Sequence, residues 1–108
     1  MNIEQFQTEV YKVAVDHGFW EEDSIPISTK KAEKIALMHS ELSEALEGIR
    51  KPGADKYCPE FTNEEVELAD CLIRMLDYSA KYNIRLVAAA VAKNEFNKSR
   101  PYKHGKTI

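Results

Sequence analysis

Residues 62–82, TNEEVELADCLIRMLDYSAKY, decide the fold. Thr62 followed three residues on by Glu65 is a capping box, so a helix is predicted to start at Asn63. Leu68, Leu72, Met75, Leu76 and Ser79 recur on one side of it and carry it to about Tyr82. Upstream, Pro52, Gly53 and Pro59 make residues 51–61 a loop. Before that loop, residues 29–50 read as a helix capped by Ser28 or Thr29. Its expected inward stripe is Ile35, Met38, Leu42, Leu46 and Ile49, and Lys51-Pro52-Gly53 ends it. Further back, Ile3, Phe6, Val10, Val13 and Ala14 give a first helix over about 2–16, with Gly18 as its stop. Residues 18–28 are a loop that contains Phe19, Trp20 and Pro26. Downstream, Asn83 breaks the chain briefly. A fourth helix, rich in alanine and valine, spans about 84–98, and Pro101 and Gly105 mark a nonhelical tail over 99–108. No stretch alternates with the period of a strand. The expected architecture is one all-α, four-helix domain over residues 1–108.

Composition narrows the possible functions. The chain is 44% hydrophobic and 31% charged, the balance of a globular domain rather than a disordered one. A net charge of -3 argues against a general nucleic-acid binder. No apolar run approaches the ~20 residues of a membrane span. MNIEQFQTEV does not have the pattern of a signal peptide. Cys58 and Cys71 form no CxxC pair and no zinc spacing, which fits free thiols in a reducing cytoplasm. His17, His39 and His104 also lack metal-ligand spacing. Charge is unevenly placed. Lys93, Lys98, Arg100, Lys103 and Lys106 stand against Glu95 alone near the end, while acids gather in residues 41–77.

Two acid pairs carry the chemistry. Glu41-Leu42-Ser43-Glu44 lies on the second helix and Glu67-Leu68-Ala69-Asp70 on the third. Acids at i and i+3 share one helix face, where they repel unless a cation lies between them. A solvated face would carry lysines four residues after its acids. Here Ala45 and Gly48 occupy those places after Glu41 and Glu44. Four carboxylates from two neighbouring helices make an all-oxygen site suited to magnesium, or manganese, rather than zinc. Arg74, four residues after Asp70, offers an ordinary salt bridge to Asp70 as an alternative for that half.

An ExxE on one helix followed by an ExxD on the next resembles the MazG-like family of all-alpha nucleoside triphosphate pyrophosphohydrolases. The tail Lys93-Asn94-Glu95-Phe96-Asn97-Lys98-Ser99-Arg100-Pro101-Tyr102-Lys103-His104-Gly105-Lys106 is similar to the basic third motif of its short, single-domain members. The resemblance covers roughly residues 3–106. It implies magnesium-dependent hydrolysis of a (deoxy)nucleoside triphosphate to the monophosphate and pyrophosphate, often to clear surplus or noncanonical nucleotides. It also implies a homo-oligomer, a dimer or a tetramer of dimers, whose sites are lined by more than one chain.

Glu41, Glu44, Glu67 and Asp70 are then the expected metal ligands, with Glu41 and Glu44 also catalytic. Lys93, Asn97 and Arg100 share a face if the helix persists, and with Tyr102 and Lys103 they are expected on the phosphates. Trp20 and Phe19 are the candidates for a surface on which the base lies. Two other classes compete with the enzyme: a non-catalytic helical interaction or regulatory module with a solvated acidic face, and a di-metal redox bundle. The redox bundle is disfavoured because its sites use Glu-x-x-His pairs, absent here.

Overall fold

The computed structural model describes residues 1–107, with the side chain of His104 left aside. It is all-helical: α1 Ile3–Asp16, α2 Ile27–Arg50, α3 Asn63–Lys81 and α4 Leu86–Lys98, followed by a single 3-10 turn, Tyr102–Gly105. The Thr62 capping box is present. Thr62 Oγ1 accepts from Glu65 N at 3.1 Å, and Glu65 Oε1 accepts from Thr62 N at 3.1 Å. A second box, Asn2 with Gln5, opens α1. The cap of α2 differs from expectation. Pro26 is its N-cap residue, and Ser28 and Thr29 lie inside the helix with no capping bond. Proline suits this place because a helix start leaves backbone N–H groups without intrahelical partners. α4 also starts two residues late, after Asn83 has taken a left-handed φ of 54°.

α3 is the hub, with α1 and α2 both packed on it. Val10 and Ala14 of α1, Trp20, Ala45 of α2, and Cys71 and Leu76 of α3 form the core. Gln7 fastens α1 to α3, donating to the Leu76 carbonyl at 3.1 Å and the Ser79 hydroxyl at 2.9 Å. α2 and α3 run antiparallel in a single register. Gly48 faces Asn63 and Glu64, Glu41 reaches Arg74, and the Cys71 thiol donates to the Met38 carbonyl. At Gly48 an added Cβ would sit 3.0 Å from Glu64 N and 3.3 Å from Asn63 C, both backbone atoms that cannot swing aside. Gly48→Ala is therefore expected to destabilise the domain by about 1–3 kcal/mol. Urea unfolding would register this as a lowered midpoint.

The register corrects the expected inward face of α2. Ala45 and Gly48 are buried against α3, whereas Ile35, Leu42, Leu46 and Ile49 are 40–64% exposed. Leu68 and Leu72 of α3 are exposed as well, and α4 has no buried residue, with Val91 64% and Phe96 55% exposed. The apolar stripe read from sequence is a real stripe, but it points away from this chain's core. The radius of gyration is 16.5 Å, against about 13 Å for a chain of this length packed around one core.

Candidate functional site

The antiparallel register sets the two acid pairs against each other. Glu67 hydrogen-bonds to Glu41, and Asp70 feels the Glu41 charge. Glu41, Glu67 and Asp70 each offer an oxygen, all within 4.8 Å of one another. Glu44 lies outside this triad, though its charge reaches Glu67. The same helix face carries the buried Ala45 and Gly48, which draws Glu41 toward α3, while Glu44 stays exposed.

Such crowding is electrostatically costly, and the protonation equilibria record it. Glu67 is pushed up to about 7. Burial is the first cause, then a hydrogen bond to Glu41 that only the protonated acid can donate, then the charges of Asp70, Glu41 and Glu44. Asp70 is raised by burial and by the Glu41 charge, against the opposing pull of Arg74. Asp55 adds to it from the loop before α3, where its Oδ2 accepts from the backbone of Tyr57 at 2.9 Å and Cys58 at 2.8 Å.

A divalent cation fits this donor set. Octahedral magnesium with bonds of ~2.1 Å wants ligand oxygens between ~3 and ~4.2 Å apart. The triad's oxygens, all within 4.8 Å of one another, lie near that range. The hard, all-carboxylate donors suit magnesium or manganese.

Linkage follows with a definite sign. Without metal, Glu67 keeps its proton in the folded state up to about pH 7, while an unfolded glutamate loses it near pH ~4.3. Its contribution to stability is therefore complete below the unfolded value and is lost as pH rises to the folded one. Thermal melts in EDTA should fall across that window. Magnesium should raise the melting temperature more at pH 8 than at pH 5. Equal shifts at both pH values would contradict a cation bound to Glu67.

Arg74 does not bond to Asp70, contrary to the salt bridge considered from sequence. Its Nε donates to Glu41 Oε1 at 3.0 Å, across the helix pair. The side chain of Glu41 is only 14% exposed, so this charge is paired in a half-dry setting. Next to the triad lies a cavity of about 300 Å³, lined by Lys34, Glu41, Asp70, Arg74 and Asp77 together with the apolar Val13, Phe19, Trp20 and Tyr78. Trp20 is 8% exposed. Its Nε1 donates to Asp77 Oδ1 at 2.7 Å, its ring meets Tyr82 edge to face, and Lys34 stands 4.7 Å above it. Phe19, at 62% exposed, is the more open ring.

Lys34 was not expected in this wall, whereas Arg74 and Asp77 share the Glu67–Asp70 side of α3 by their spacing. Lys34 lies seven residues before Glu41, and Asp77 seven after Asp70. Seven residues are about two turns, so each shares a face with its acid. That signal was available in the sequence. Lys93, Asn97, Arg100, Tyr102 and Lys103 do not line the cavity. α4 ends at Lys98, so Arg100 falls beyond the helix, and both Lys93 and Arg100 lie over the Phe96 ring.

Comparison with protein-family models, curated proteins and solved structures gives no match. Among the described residues no helix is long and apolar enough to cross a membrane.

Proposed function

We propose that this chain is a magnesium-dependent nucleotide pyrophosphohydrolase of the MazG-like, all-alpha type. In this reading it cleaves a (deoxy)nucleoside triphosphate to the monophosphate and pyrophosphate. The observation that carries it is the convergence of Glu41, Glu67 and Asp70 beside a cavity to which Lys34 and Arg74 bring cations and Phe19 and Trp20 bring apolar surface. Glu41, Glu67 and Asp70 would hold the cation, with Glu44 beside them. When bound, a divalent cation supplies neutralisation of phosphate oxygens and a water of lowered pKa. Glu44, outside the triad though its charge reaches Glu67, would accept a proton from the attacking water. Lys34 and Arg74 face the negative charge of the phosphates. Phe19 and the flank of Trp20 supply apolar area for the nucleoside.

The working unit is a homo-oligomer, dimer or tetramer, in a cytoplasmic setting. Ile35, Leu42, Leu46 and Ile49 of α2 and Leu68 and Leu72 of α3 are exposed, and exposed apolar side chains of this kind support a partner surface. The cavity is at the small end of the range for ligand sites. The basic set Lys93, Asn97, Arg100, Tyr102 and Lys103 would complete it from a second copy. The competing interaction module accounts for the exposed apolar faces but leaves the crowded carboxylates without a role.

A panel of nucleoside triphosphates with magnesium, and with EDTA in its place, tests the assignment. Turnover of at least one nucleotide that EDTA abolishes is expected. No turnover of any, or turnover indifferent to EDTA, would overturn it.

A further inference from the structure

Arg74 occupies an unusual position. Its Nε is bonded to an oxygen of Glu41, one of the three acids that converge. The rest of its guanidinium makes no hydrogen bond among the described residues, yet the side chain lines the neighbouring cavity together with Lys34. A guanidinium carries five donors in a rigid fork, so one edge can hold a carboxylate while another remains free for an anion. Of the three converging acids, Glu41 is the one with a direct cationic partner.

We infer that Arg74 is a metal-responsive anion arm. With no divalent cation bound, it neutralises Glu41. A cation bound to the triad takes that place and repels the guanidinium. Arg74 then turns its fork into the cavity and takes an anionic oxygen of a polyphosphate ligand. This rests on the acid triad being a divalent-cation site, as proposed above, and adds to it a switch of Arg74 from Glu41 to the anion and a direction of coupling. Arg74 and the cation compete for Glu41, while Arg74 and the anion cooperate. Cation and polyphosphate therefore bind with positive coupling, reciprocal by linkage.

The test is the full-length protein with manganese alone, titrated calorimetrically or by electron paramagnetic resonance, and then with magnesium pyrophosphate. Arg74→Gln is expected to bind manganese about five- to tenfold more tightly than the wild type, because a competing cation is gone. It should bind magnesium pyrophosphate about tenfold more weakly or worse. Arg74→Lys keeps a charge but loses the fork, so its manganese affinity should stay near the wild type while pyrophosphate binding falls. Unchanged or weaker manganese binding by Arg74→Gln would overturn the inference, since a residue that merely positions Glu41 gives that result. Unchanged pyrophosphate binding by Arg74→Gln would overturn it too. Failure of the underlying metal reading looks different: the wild type would bind no manganese, or Glu67→Gln would bind it as well as the wild type.

Discussion

Glu67→Gln should abolish turnover while making the metal-free protein more stable. The two effects have one cause. Glu67 is the acid most strongly raised, and it is raised by burial and by three neighbouring carboxyl groups. Glutamine keeps the shape of the side chain and removes the charge that the fold resists at neutral pH. The melting temperature in EDTA at pH 8 should therefore rise, and its decline between the unfolded and folded pKa values should flatten. In the proposed reading the same change removes a metal ligand. A bound metal is worth several kcal/mol to a hydrolytic transition state, so kcat/KM should drop on the order of a thousandfold or more. Stabilisation by magnesium should shrink with it. A loss of activity together with a loss of metal-free stability would mean that Glu67 serves the fold rather than a cation.

Leu46→Glu should produce the largest structural effect of any surface substitution. Leu46 is 64% exposed in the single chain, where a charge would normally cost little. If its stripe is covered by a second copy, the substitution buries a carboxylate at an apolar interface, and breaking that contact costs several kcal/mol. Sedimentation should then show dissociation to monomers, with a lower melting temperature that depends on protein concentration. Activity should fall too, because the basic residues 93–103 can no longer reach a partner's site. A variant that keeps the mass and the melting behaviour of the wild type would remove the oligomer from the account.

Much of the fold was legible in the sequence because local signals agreed with tertiary ones. The Thr62–Glu65 box, the breakers at Pro52 and Gly53 and the 3.6-residue recurrence in α3 each found its expected element. The orientation of α2 was not legible in the same way. Its largest side chains form one stripe and its small ones another, and the small face packed on α3, where Gly48 lets the backbones approach. A periodicity shows that a stripe exists, not which neighbour covers it. The site was legible to the same extent. Ala45, where a lysine would sit on a solvated face, did mark Glu41 as partly covered, but Gly48 did not do so for Glu44, which is exposed. Which acid Arg74 would meet depended on a register between helices that no local pattern encodes, so its bond went across to Glu41 rather than along to Asp70. Glu44 shares a face with Glu41 yet falls outside the triad, for the same reason.

In the proposed reading this acid cluster serves cleavage of a nucleoside triphosphate between its α- and β-phosphates. Following the reaction by phosphorus-31 magnetic resonance tests it most directly. With magnesium, the triphosphate signals should give way to the monophosphate and pyrophosphate in equal amounts from the first time point. Diphosphate with orthophosphate, or triphosphate that persists unchanged, would contradict it.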